Sequence, residues 1–111
     1  MKVEHWDPAL GELSEANMRR WLQSQGYDVT RFTYSPGTFF PDHTHNIDKK
    51  DAVLSGRFRL IAAGQEFILE AGDYLEIPAG TIHSAEVIGD ESVVSLDATI
   101  RRPNRDNPVL R

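Results

Sequence analysis

The apolar residues of this chain follow two periodicities, and the change comes near residue 27. Between Ser14 and about Gln25 they recur on one face of a helix, at Met18, Trp21 and Leu22. Ser14 suits the N-cap, and Gly26 suits the left-handed residue that ends such a helix. From residue 28 onward, apolar and polar positions alternate with a period of two, as in strands with one buried face. The pattern predicts one short helix followed by β-structure.

Turn signals divide the second part of the chain into short strands. Examples are Ser35-Pro36-Gly37, Ser55-Gly56 and Pro78-Ala79-Gly80. The strands are predicted at about 28–34, 38–45, 50–55, 57–62, 65–70, 73–77, 82–88 and 92–99. Many short strands with closely spaced turns indicate an all-β sandwich or barrel. Closing or doubling the sheet also removes exposed strand edges.

Length and composition narrow the class of protein. With 111 residues and 40% apolar content, the chain fits one globular domain. No apolar run approaches the roughly 20 residues that span a bilayer, and residues 1–8 lack the apolar stretch of a signal peptide. We therefore expect a cytoplasmic protein. A net charge of -5 argues against nucleic acid as a partner.

Three regions are expected along the chain. Residues 1–27 form an N-terminal segment with the short helix, and residues 28–100 form the barrel. Residues 101–111 form a basic C-terminal tail with four arginines and two prolines. We expect this tail to be solvated, partly ordered and folded back onto the acidic body.

The candidate chemistry lies in three histidines. His43 and His45 are two residues apart, so a strand would present both imidazoles on one face. His83 follows the Pro78-Ala79-Gly80 turn on a distant strand and would complete a triangle of ligands. Because the chain has no cysteine, any metal must be held by histidine and oxygen ligands. His5 lies far from this group and is expected to be packed or solvated.

The spacing of these residues resembles the two motifs of the cupin family. The first motif is a glycine, five residues, H-x-H, three or four residues, a glutamate, six residues and a glycine. Here it is GTFFPDHTHNIDKKDAVLSG, from Gly37 to Gly56. The second motif has a glycine, then P-x-G, a histidine and an asparagine, and here it is GDYLEIPAGTIHSAEV, from Gly72 to Val87. The resemblance covers about residues 28–99 and implies a double-stranded β-helix, the cupin jelly-roll barrel.

The resemblance also implies a metal site, with one departure from the motif. Lys49 stands where the family usually has a glutamate ligand, and Val87 replaces the final asparagine. Three arrangements would reduce the repulsion between the Lys49 ammonium and a dication. The side chain could turn to solvent, lose its proton, or pair with Asp48 or Asp51. Asp48 could also supply the missing carboxylate through a one-residue slip. Some cupin dioxygenases hold iron with three histidines and no carboxylate, so His43, His45 and His83 could suffice.

Two functions remain open from the sequence. The first is an enzyme with a divalent transition metal (iron, manganese, nickel or zinc) that acts on a small molecule, as a dioxygenase or isomerase. The second is a non-catalytic, metal-free module that binds or senses a small ligand, with Lys49 and the histidines binding an anionic or hydroxylated one. Phe32, Tyr34, Phe39, Phe58 and Tyr74 are expected mainly in the core, with one or two, such as Tyr34, in a pocket wall. The resemblance further implies a homodimer.

Overall fold

The computed structural model describes residues 1–101 and consists of one helix and nine strands. The helix α1 spans Glu15–Ser24. The strands are β1 Glu4–His5, β2 Asp28–Tyr34, β3 Phe39–His43, β4 Asp48–Ser55, β5 Arg57–Ala62, β6 Gln65–Leu69, β7 Asp73–Ile77, β8 His83–Ile88 and β9 Val93–Ile100. A 3-10 turn at Pro8–Leu10 precedes the helix.

The predicted helix is confirmed, with both of its expected ends. The Ser14 hydroxyl accepts a hydrogen bond from the Asn17 amide at 3.1 Å and caps the N-terminus. Gly26 has a φ of +94°, and the next amide, of Tyr27, donates to the Leu22 carbonyl at 3.2 Å. This is the Schellman arrangement, which satisfies carbonyls that the helix leaves free.

The strands form two antiparallel sheets, and the predicted all-β jelly-roll class is confirmed. The five-stranded sheet has the order β1-β7-β4-β9-β2, and the four-stranded sheet has the order β3-β8-β5-β6. The N-terminal segment contributes β1, which pairs with β7 at the edge of the first sheet. The predicted strand 38–45 is too long, since β3 ends at His43 and leaves His45 in the following loop.

Apolar side chains form two clusters on opposite faces of the five-stranded sheet. One fills the space between the sheets and includes Val53, Leu60 and Leu75. The other lies under the helix and joins Met18 and Leu22 to strand residues. The helix therefore braces the outside of the barrel, and burial of its apolar face, more than its intrinsic propensity, holds it there.

Strand β4 places adjacent lysines on these opposite faces. The Lys50 ammonium lies outside the barrel, 5.0–5.3 Å from the ring centroids of Trp21, Tyr27 and Tyr74. Such cation–π contacts, together with a 3.1 Å hydrogen bond to Gln25, keep this charge under the helix. Since side chains alternate along a strand, Lys49 must then point into the barrel.

The predicted tail lies outside the described residues apart from Arg101. Within residues 1–101, no helix has the length and apolar content needed to cross a membrane.

Candidate metal centre

The three predicted histidines converge at one end of the barrel. His43 is the last residue of β3 and His83 the first of β8, and the two are paired in register across the sheet. His45 lies in the loop after β3, where the Gly80 amide donates to its carbonyl at 2.8 Å. Potential ligand atoms of the three side chains all lie within 4.8 Å of one another. A turn contact, and not the strand pleat assumed from the sequence, therefore places His45.

Hydrogen bonds fix the tautomers of two of these rings. The Nδ1 of His43 lies 2.7 Å from the Pro41 carbonyl, and that of His83 lies 2.9 Å from the Thr81 carbonyl. A carbonyl can only accept, so both Nδ1 atoms carry the proton and both Nε2 atoms keep a free lone pair. Metal-ligating histidines are commonly oriented by this type of bond.

The third imidazole has a buried polar atom without a protein partner. The Nε2 of His45 is buried and makes no hydrogen bond within the described residues. A buried polar atom of this kind costs free energy unless a ligand, water or ion satisfies it. The donor set fits a divalent transition metal, because three imidazole nitrogens with open remaining positions suit such ions.

Burial keeps two of the imidazoles in the form that binds metals. It lowers the pKa of His45, and the Lys49 charge and the other two histidines lower it further. Burial also lowers the pKa of His83, against a smaller opposing effect of its bond to the Thr81 carbonyl. Both rings are therefore neutral at pH 7, with no proton to displace before a metal binds.

Lys49 lies in the same cavity, between two carboxylates. Its ammonium is 3.0 Å from Asp97 Oδ1 and 3.5 Å from Asp51 Oδ1, and its side chain is 11% exposed. Asp51 and Asp97 are partners in register on the adjacent strands β4 and β9. Of the alternatives considered for Lys49, the structure shows the ion pair with Asp51, and it adds a second partner.

The two carboxylates keep the Lys49 ammonium charged. Burial alone lowers the pKa of Lys49, but Asp51 and Asp97 outweigh it, so the pKa is raised above its ordinary value. Burial raises the pKa of Asp51 to about 6, with Lys49 opposing the rise and Asp97 adding to it. At pH 7 we therefore expect one cation between two anions, with a net charge of minus one.

The structure does not bring Asp48 into this site. Asp48 is buried, and its carboxylate accepts a hydrogen bond from the Ala79 amide at 2.7 Å. It is not among the residues that line the cavity. The one-residue slip that would make it a ligand is absent, because the register of β4 places Lys49 and Asp51 on the inner face.

The histidines and the lysine cluster border a cavity of about 190 Å³ inside the barrel. Its lining residues combine imidazoles, charged groups, small side chains and three aromatic rings. They are Tyr34, Phe40, His43, His45, Lys49, Asp51, Phe58, His83, Ala85, Ser95 and Asp97.

The predicted aromatic wall is only partly the one observed. Tyr34 and Phe58 line the cavity, in agreement with the expectation that one or two aromatic residues form a pocket wall. Phe39 is 59% exposed, and its neighbour Phe40 points into the cavity instead. Phe32 is partly exposed and stacks on Tyr34, with ring centroids 5.9 Å apart. Tyr74 packs outside the barrel against Trp21, with centroids 4.9 Å apart.

Asp97 is the main site residue that sequence analysis missed. Along β9 the buried positions Val93 and Ser95 alternate with outward ones, and Asp97 continues the inward series. The period of two along this strand was therefore a usable signal. Its pairing with Lys49 could not be deduced, because it depends on the register between distant strands.

Comparisons with known proteins agree with this architecture. Residues 30–99 match the family described as "Cupin domain". A "Quercetin 2,3-dioxygenase" of Bacillus subtilis is 36% identical over 59 residues, which cover 52% of this chain but only 18% of that protein.

Solved structures show the same fold. A cupin superfamily protein from Desulfitobacterium hafniense superposes with a TM-score of 0.62 at 21% identity, covering 68% of each chain. The Cnp3 cupin domain of Schizosaccharomyces pombe superposes with a TM-score of 0.68 at 14% identity, covering 74% of this chain and 61% of that one. Because the family match covers residues 30–99, more than half of the chain, the chain belongs to the cupin domain family.

Proposed function

We propose that this protein is a metal-dependent cupin enzyme that holds a divalent transition metal with His43, His45 and His83. Its substrate is a small molecule bound in the barrel cavity, and the reaction is a dioxygenation or an isomerisation. The single observation that carries the proposal is the convergence of three imidazoles with ligand atoms within 4.8 Å. Two of these rings have their Nδ1 atoms fixed by carbonyls, which leaves the Nε2 lone pairs free.

The partial similarity to a dioxygenase supports the choice of reaction class. The matched stretch of the Bacillus subtilis protein is 36% identical to this chain. Iron or manganese suits oxygen chemistry, whereas nickel or zinc suits Lewis-acid chemistry such as isomerisation. When bound, the metal would polarise or activate an oxygen of the bound molecule.

The chain's own residues supply the rest of the site. His43 and His83 are pre-oriented by backbone carbonyls, so little side-chain entropy is lost when a ligand binds. Lys49 presents an ammonium whose position is fixed by Asp51 and Asp97. Tyr34, Phe40 and Phe58 give the other part of the cavity an apolar wall, against which a bound molecule would displace water.

Elemental analysis of the purified protein tests the proposal. We expect about one transition metal per chain in the wild type and loss of that metal in His83→Ala. His5→Ala is the matched control, because His5 pairs with Asp73 on the barrel exterior and should leave the metal content unchanged. A folded wild-type protein that takes up no iron, manganese, nickel or zinc on addition would contradict the proposal.

Lys49 favours a second candidate, a metal-free module that binds or senses a small ligand. A lysine in place of the usual carboxylate adds a cation to the cavity and removes a ligand. The same metal analysis distinguishes the two functions. A metal-free, folded protein that binds small ligands in the cavity would support the module.

We also propose that the protein acts in the cytoplasm as a homodimer. An exposed edge strand supports self-association, since four consecutive residues of β2, from Thr30 to Thr33, are exposed. Light scattering coupled to size exclusion tests the assembly, and a monomer at micromolar concentration would contradict it.

A further inference from the structure

The cavity beside the histidines is polar at one end and aromatic at the other. On β8 the inward residues are His83, Ala85 and Val87, in that order along the strand. On the neighbouring β5, Ala62 pairs with His83 and Phe58 pairs with Val87. Phe58 therefore lies four residues along the strands from the histidines, or about 13 Å at 3.3 Å per residue.

The other two aromatic residues lie toward the same end as Phe58. Phe40 on β3 pairs with Ala85, one inward position away from His83. Tyr34 contacts both other rings, with centroids 4.9 Å from Phe40 and 5.7 Å from Phe58. These three rings form one packed group, which we call the aromatic end.

The volume of the cavity limits what this end can accept. An apolar protein cavity of about 150 Å³ accommodates one benzene molecule. The cavity here measures about 190 Å³, which leaves room for one ring and one or two small substituents.

We propose that the ligand of this site is a small molecule with one planar ring that carries oxygen substituents. The ring lies against Tyr34, Phe40 and Phe58, and the oxygens face the histidines and Lys49. This orientation follows from the division of the cavity, because polar substituents beside Phe40 and Phe58 would have fewer hydrogen-bonding partners than beside the histidines and Lys49. The inference names the substrate class of the proposed function and rests on it for the metal.

The binding of two hydroxamates to the metal-loaded protein measures how much an aromatic ring on the ligand contributes to affinity. Acetohydroxamate and benzohydroxamate share one metal-binding group and differ in a methyl against a phenyl. We expect benzohydroxamate to bind at least about 10-fold tighter in calorimetric titration, because burial of a phenyl group is favourable on this scale. Equal affinities in the wild type would overturn the inference.

Variants of the lining residues test whether the preference for benzohydroxamate arises at the aromatic end. Tyr34→Leu and Phe40→Leu keep an apolar side chain but remove a ring, so each should reduce the ratio of the two affinities several-fold. The matched control is Phe39→Leu, since Phe39 is adjacent in sequence but exposed outside the cavity. A ratio that stays at the wild-type value in both cavity variants, with folding shown by circular dichroism, overturns the assignment.

A second probe pair separates this inference from the proposed function. Phenol and cyclohexanol have the same hydroxyl group on a planar and a puckered ring, and neither requires a metal. On chelator-treated protein we expect several-fold tighter binding of phenol by ligand-observed NMR. If the protein takes up no metal but prefers phenol, the proposed function fails and the ring inference stands. If metal binds but neither ring probe is preferred, the inference alone fails.

Discussion

Replacing Lys49 with methionine should destabilise the protein severely, because it leaves the buried carboxylate of Asp51 facing the partly buried carboxylate of Asp97 with no cation between them. The ammonium lies 3.0 Å from Asp97 and 3.5 Å from Asp51. At an effective dielectric constant of 20, each contact corresponds to a Coulomb energy of about 5 kcal/mol before desolvation is counted. Since removal of one partner from a buried ion pair typically costs about 3–5 kcal/mol, we expect a loss of that size at pH 8.

The loss of stability caused by Lys49→Met should become smaller as the pH falls. Burial already raises the pKa of Asp51 to about 6 in the wild type, from an ordinary value of 3.8. Without Lys49, the pKa of the folded state rises further, while that of the unfolded chain stays near 4. A folded-state pKa above the unfolded value gives stability that is present at low pH and is lost as the pH rises through the folded value. Urea denaturation at pH 5 and pH 8 measures both effects.

Two further variants test whether the loss of stability in Lys49→Met arises from the unpaired carboxylates. The triple variant Lys49→Met, Asp51→Asn and Asp97→Asn removes all three charges at similar volume and should recover at least half of the loss. Arg59→Met is the matched control, because Arg59 also contacts two carboxylates, of Glu66 and Glu86, but on the outer face. Its stability should change little. A loss below about 1 kcal/mol in Lys49→Met, or equal losses at both pH values, would refute the reasoning.

Three other predictions concern backbone strain, the helix cap and metal release. Gly56→Ala should cost about 2 kcal/mol or more in urea denaturation, because φ is +82° and a Cβ would lie 2.4 Å from the Ser92 carbonyl. Gly37→Ala has the same φ with open space around it and should cost only about 1 kcal/mol, so equal losses would contradict this account. Ser14→Ala should cost about 1 kcal/mol through loss of the N-cap, and an unchanged midpoint would argue against it. Because the pKa values of His45 and His83 are lowered, metal should stay bound below pH 6.5 in a competitive chelator titration, and half-release above that pH would contradict the assignment.

Sequence analysis succeeded where local spacing determines the structure. The ends of the helix follow from Ser14 and Gly26, because capping depends only on residues within one turn. The histidine cluster follows from the positions of His43 and His83 in two separate motifs. The alternating pattern predicts His45 on a strand, because the sequence does not show that the Gly80 amide donates to its carbonyl outside the sheet.

The surroundings of Lys49 could not be predicted, for a different physical reason. Its partners depend on which residue of β9 pairs with β4, and register between distant strands is determined by packing of the whole sheet. Asp51 was identified because it lies two residues away on the same face. Asp97 required knowledge of the fold. Phe39 and Phe40 show the same limit, because both are apolar and only the register of β3 with β8 decides which one points inward.

The lysine in this cavity is best understood through the charge of its whole cluster. A glutamate ligand brings one negative charge to a metal site, and a lone ammonium at the same position would repel a dication. Lys49 is not alone, since one ammonium between Asp51 and Asp97 carries a net charge of minus one. A bound cation would therefore meet a compensating negative charge, supplied by an ion-paired cluster beside the histidines and not by a carboxylate ligand. Replacing Lys49 with glutamate would not create the usual ligand set, because the new carboxylate would face those of Asp51 and Asp97 with no ammonium between them.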